Sequence, residues 1–230
     1  MNEKINHIIS LLKSKARPGA VQGMARFGIT PDKVFGVSIP ELRKMGKAIG
    51  TDHELAQELW SAKYRETMIL SALIDDPAQV SNEQMESMVM DFYDWEICDQ
   101  CIMNLFEKKQ NAYEKAMEWA ERNEEFVKRA GYVLMARLAV SDKKAPDDKF
   151  LPFFPFIKQG ATDNRNFVKK AVNWALRQIG KRNMALNAKA IDLANEILTL
   201  NSNSARWIAT DALRELTGDA VLARLKQKQG

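Results

Sequence analysis

The chain has 230 residues, with 46% hydrophobic and 28% charged residues, the balance of a globular protein rather than a disordered or fibrous one. Its 34 Lys and Arg against 30 Asp and Glu leave a net charge of +4 and a pI near 9.0, mildly basic and informative only if the cations cluster on one face. The two cysteines, Cys98 and Cys101, exclude a disulfide scaffold, and no apolar run is long enough to span a membrane.

Apolar residues recur with helical spacing along nearly the whole chain, and alternating β-branched runs are absent, so the expectation is an all-α fold without a sheet. The first helix is expected over 2–16, stopped by Arg17-Pro18-Gly19, and a short one over 21–26. A loop over 29–38 follows. Ser38 is placed to cap the next helix, with Pro40 in its first turn and Glu41 completing a capping box, and Gly50 ends it. Further helices are expected over 53–63, 65–74, 82–93, 95–109, 112–122, 124–140, 148–158, 165–181, 186–200, 204–216 and 219–226.

A weak repeat runs through this series. Phe126-Val127-Lys128-Arg129-Ala130 returns 41 positions later as Phe167-Val168-Lys169-Lys170-Ala171, and Trp174-Ala175-Leu176-Arg177 returns 37 positions later as Asp211-Ala212-Leu213-Arg214. A period near 40 with two helices per period is the mark of HEAT-type repeats, which stack their apolar faces into an α-solenoid superhelix. The expectation is a single domain over 1–230: N-terminal helices over 1–50, repeats over 51–218 and a tail over 219–230. Lys128, Arg129, Lys169, Lys170, Arg177 and Arg206 fall at matching places, so stacking projects them onto one side as a concave basic groove suited to DNA.

Trp95 and Asp99 are four residues apart and share one face of a helix. A carboxylate beside an indole face suits a developing cation. Taken alone, this spacing more often marks a core Trp and a solvated acid. Most of the five tryptophans (Trp60, Trp95, Trp119, Trp174 and Trp207) are expected in the core. Cys98-x-x-Cys101 has no second cysteine pair and no nearby histidine, so it reads as core rather than as a metal or redox site. Phe150-Leu151-Pro152-Phe153-Phe154-Pro155-Phe156-Ile157 reads as packing between repeats.

Several of these segments resemble the AlkD-like DNA alkylation repair proteins, bacterial glycosylases of HEAT-like repeats that act on 7-methylguanine and 3-methyladenine. The similar stretches are Phe35-Gly36-Val37-Ser38-Ile39-Pro40-Glu41-Leu42-Arg43, Leu59-Trp60 with Arg65-Glu66, Asp94-Trp95-Glu96-Ile97-Cys98-Asp99, and 167–177. The resemblance implies a monomeric DNA repair glycosylase that hydrolyses the N-glycosidic bond of positively charged N3- or N7-alkylated purines in duplex DNA. It implies Asp99, Trp95 and Trp174 as the catalytic set and Arg129 as the phosphate contact, with Lys128, Lys169, Lys170, Arg177 and Arg206 on the DNA. No metal, cofactor or membrane is implied, and the setting would be cytoplasmic, at the nucleoid. Asp94 and Glu96 depart from the family's segment, and the charge of Asp94 near DNA would weaken binding. The rival expectation is a non-catalytic repeat module that binds DNA structure or a protein partner.

Overall fold

The computed structural model describes residues 3–227, and among them there are fourteen α-helices and no strand. Asn2, at the start of the expected first helix, and residues 228–230 of the expected tail lie outside the described residues. In chain order the helices are α1 (Glu3–Ser14), α2 (Pro18–Ala25), α3 (Ile39–Ile49), α4 (His53–Ser61), α5 (Arg65–Ile74), α6 (Asn82–Met90) and α7 (Trp95–Asn104). They continue with α8 (Ala112–Ala120), α9 (Glu125–Ser141), α10 (Phe153–Gly160), α11 (Asn166–Gly180), α12 (Met184–Leu198), α13 (Asn203–Leu216) and α14 (Asp219–Gln227). The contacts group the chain into two compact units, Met1–Lys109 and Gln110–Gly230.

In the first unit α5 lies between α3 and α7, with α4 packed on it and α1 on α4. Nine of the ten residues of α5 are buried, so its polar side chains must find partners inside the protein. In the second unit α8, α10 and α12 follow one another in one layer and α9, α11 and α13 in the other. Each helix also packs on its successor, α8 on α9, α10 on α11 and α12 on α13. This is the two-layer arrangement of HEAT-like helical repeats, in which a helix pair is buried by the pairs on either side.

The repeated sequence segments occupy equivalent places in it. Phe126 and Phe167 begin α9 and α11, and their rings lie 5.6 Å apart. Arg177 of α11 meets Asp211 of α13, the residue that takes the place of Trp174 in the next repeat, at 2.7 Å. The aromatic run over 150–157 packs as expected: Phe150 and Phe153 are buried, and Tyr113 stacks on Phe153 at 5.8 Å.

The capping box expected at α3 is absent. Ser38 precedes the helix without a side-chain cap bond, and Glu41 turns instead to Lys15, 2.6 Å away on the segment after α1. A long ion-pairing side chain competed successfully for the carboxylate that the box required.

Gly131 marks a close approach of backbone to backbone in the second unit. A Cβ there would stand 2.4 Å from the Ala120 nitrogen and 2.7 Å from the Ala116 oxygen, so α8 and α9 touch backbone to backbone. Helix propensity alone would favour alanine at this place by about 1 kcal/mol. Overpacking against rigid backbone outweighs it, and Gly131→Ala is expected to destabilise the protein by about 1–3 kcal/mol, seen as a lower midpoint in urea unfolding. An unchanged or raised midpoint would contradict the contact.

Candidate active site

Helix α7 carries the pair singled out in the sequence, and its position is set by a buried charge network. Arg65, at the start of α5, grips Glu96 with two nitrogens, Nε to Oε2 at 2.6 Å and Nη2 to Oε1 at 2.8 Å. Its third nitrogen donates to the Val37 carbonyl at 2.9 Å and to Glu66 at 3.0 Å. Glu66 in turn accepts the main-chain N–H groups of Phe35, Gly36 and Val37 at 3.0, 2.9 and 3.1 Å. One guanidinium faces two carboxylates, and three amide dipoles compensate the second. The loop before α3 and the first turn of α7 are thereby both tied to α5. Gly36 makes the loop possible: its φ is +79°, and a Cβ would stand 2.4 Å from the Arg17 carbonyl oxygen.

Asp94 caps α7. Its Oδ1 accepts the Ile97 N–H at 2.9 Å, the usual service of an N-cap carboxylate. The side chain is buried and its Oδ2 has no hydrogen-bond partner. Burial pushes the carboxyl up to about 6, helped by the neighbouring Glu96 and opposed by the Ile97 N–H and by Arg65. Asp94 is thus a buried cap beneath the helix start rather than a surface acid, and Glu96 is neutralised by Arg65.

Trp95 is the first residue of α7 and is half-buried, with its indole N–H fixed on the Phe27 carbonyl at 2.8 Å. Asp99 lies one turn further on the same face and is 8% exposed. Phe27 itself is 71% exposed, an aromatic ring in solvent on the segment that holds Trp95. Sequence reasoning passed over it. Its flank, Arg26 and Gly28, resembled a simple helix end, and only the Trp95 bond across 68 residues reveals the neighbourhood. Cys98 and Cys101 form no disulfide and lie on the buried side of α7, and burial raises the Cys101 thiol well above its ordinary value.

The remaining candidates belong to the second unit. Trp174 is half-buried on α11. Arg129 is only 6% exposed and donates to the Phe167 carbonyl at 2.7 Å, tying α9 to α11. Lys128 stands 3.8 Å from Asp163. Arg177 is ion-paired with Asp211 and Glu215 of α13, and Asn173 donates to the same Asp211 at 2.8 Å. Lys170 and Arg206 are exposed, and Lys169 lies over the Trp207 ring. Only two of the five tryptophans, Trp60 and Trp119, are core residues, against the expectation for most of them: Trp95 and Trp174 are half-buried and Trp207 is exposed.

A family model described as DNA alkylation repair enzyme matches residues 8–216. The chain belongs to that family. Its fold is similar to a solved structure described as a new family of proteins related to the HEAT-like repeat DNA glycosylases with affinity for branched DNA structures. The TM-score is 0.75 and the identity 19%, over 92% of this chain and 95% of that one. Two designed armadillo repeat proteins match less well. One, in complex with a peptide, has a TM-score of 0.45 and 13% identity over 94% of each chain; the other has 0.39 and 15% over 76% of this chain and 92% of its own. No curated protein matches the chain. Among the described residues no helix is long and apolar enough to cross a membrane.

The raised carboxyl of Asp94 makes stability depend on pH. Its folded value of about 6 lies above the ordinary 3.8, so the native state holds this proton more tightly than the unfolded chain does. The group costs little below about pH 4, stability falls as pH rises from about 4 to about 6, and a cost on the order of 2–3 kcal/mol persists above that. Asp94→Asn keeps a capping oxygen and removes the charge. It is expected to melt several degrees above the parent near pH 8 and much closer to it near pH 3.5. Thermal unfolding of both proteins at the two pH values checks this, and a pH-independent difference would contradict it.

Proposed function

We propose that the protein is a DNA repair glycosylase that excises positively charged N3- or N7-alkylated purines from duplex DNA by hydrolysing the N-glycosidic bond. The observation that carries this reading is the Trp95–Asp99 face of α7, with its half-exposed indole beside a carboxylate, in a chain of the DNA alkylation repair enzyme family.

The chemistry needs little more. Alkylation at N3 or N7 places a positive charge on the purine and makes it a good leaving group, so no general acid is required. The C1′–N9 bond breaks, its electron pair leaves with the base and neutralises it, and the sugar becomes oxocarbenium-like, as in glycoside hydrolysis. The Asp99 carboxylate offsets that positive charge and takes the proton from the water that adds to C1′. The face of Trp95 attracts the cationic nucleotide, and the Phe27 hydrogen bond holds the ring so that little conformational freedom is lost when the substrate arrives. Trp174 is a second ring surface for the DNA. Lys169, Lys170 and Arg206 supply phosphate contacts. Arg129 and Lys128 support the same end of α9, Arg129 through its bond to α11. The protein acts as a monomer without metal or cofactor, at the cytoplasmic nucleoid.

The test uses duplex DNA carrying 7-methylguanine. The wild type is expected to release the base, and Asp99→Asn to do so at least about 100-fold more slowly while still folded by circular dichroism. No release by the wild type, or equal release by the variant, ends the enzyme reading. DNA binding without release would select the non-catalytic module instead.

A further inference from the structure

Trp207 is 41% exposed on α13, while its neighbours Ala205, Ile208 and Ala209 are buried and supply the core face of that helix. The fold thus makes no use of much of this indole. Its surroundings are basic. Lys169 Nζ lies 5.3 Å from the Trp207 ring centroid, and Lys170 and Arg206 are exposed beside these two residues in the chain. Residues 166–173 of α11 and 203–210 of α13 contain those three cations and no carboxylate. The acids of α13, Asp211 and Glu215, lie in its C-terminal half and are paired with Arg177, Lys181 and Arg214. Asp163, before α11, is paired with Arg165 at 2.6 Å. The patch therefore joins an open aromatic ring to uncompensated positive charge.

We propose that this patch of the second unit is a contact for unpaired nucleotides, with Trp207 stacking on an exposed base and Lys169, Lys170 and Arg206 taking the adjoining phosphates. Charge complementarity selects a polyanion as the occupant, and the ring selects its state. In a duplex the faces of the bases are hidden against one another, so an indole at the surface finds a base face only where pairing is broken. Every base has such a face, so the contact tolerates any sequence. It rests on DNA as the partner and is independent of the excision chemistry assigned to Asp99.

The experiment titrates the full chain with a short single-stranded oligothymidylate and, separately, with a fully paired unmodified duplex, following tryptophan fluorescence and fluorescence anisotropy. The wild type is expected to bind the single strand with quenching. Trp207→Leu should lose roughly 10-fold or more in single-strand affinity and far less in duplex affinity, while Trp207→Phe retains most of it. Lys170→Ala should reduce the slope of log affinity against log salt by about 0.7. Absence of single-strand binding, a Trp207→Leu variant that binds the single strand like the wild type, or equal losses on both DNAs would overturn the proposal. Base release from methylated duplex is scored separately, so either reading can fail while the other stands.

Discussion

The guanidinium of Arg65, buried between Glu96 and Glu66, determines where the candidate chemistry sits. Two of its nitrogens are spent on Glu96, the second residue of α7, and this fixes the rotation of the helix whose first and fifth residues are Trp95 and Asp99. The same side chain, through Glu66 and the Val37 carbonyl, anchors the 35–37 loop. Leaving one of these charges without its partner in the interior would cost about 3–5 kcal/mol, so the arrangement is held as a unit or not at all. Precision of this kind is what a carboxylate needs if it is to meet a sugar cation without prior rearrangement.

Around that network the protein separates residues that look alike in the sequence. Asp94, Glu96 and Asp99 are three acids within six positions. The first is a sealed helix cap with a raised carboxyl, the second is neutralised by Arg65, and the third lies on the Trp95 face of the helix. Arg129 and Arg177, which repeat placement and the family resemblance put on DNA, hold neighbouring repeats together through the Phe167 carbonyl and the α13 carboxylates. Among the described residues Lys169, Lys170 and Arg206 have no such duty; Lys169 lies over the exposed ring of Trp207, and Lys170 and Arg206 are exposed next to these two in the chain.

Helical periodicity, the breaks at Pro18-Gly19 and Gly50, and the 41- and 37-residue repeats made the all-α, two-layer repeat arrangement legible, because each depends on local spacing or on self-similarity. The Arg65-Glu66 pair and the Phe35-Gly36-Val37 stretch were visible as motifs, but their meeting was not, since a contact across 30 residues leaves no local pattern. The Ser38–Glu41 box misled for the same reason: Lys15, 26 residues away, took the carboxylate. Phe27 and Trp207 escaped because exposure is a property of what does not pack against a ring. Five tryptophans on five helices look equivalent until the layers are assembled.

The central claim is that the Trp95–Asp99 face favours a sugar losing a positively charged base. The most direct measurement compares single-turnover base release from two otherwise identical duplexes, one with 7-methylguanine and one with hypoxanthine, a neutral base of similar size. The account predicts release of the charged base alone. Release of neither base, or release of both at comparable rates, would contradict it.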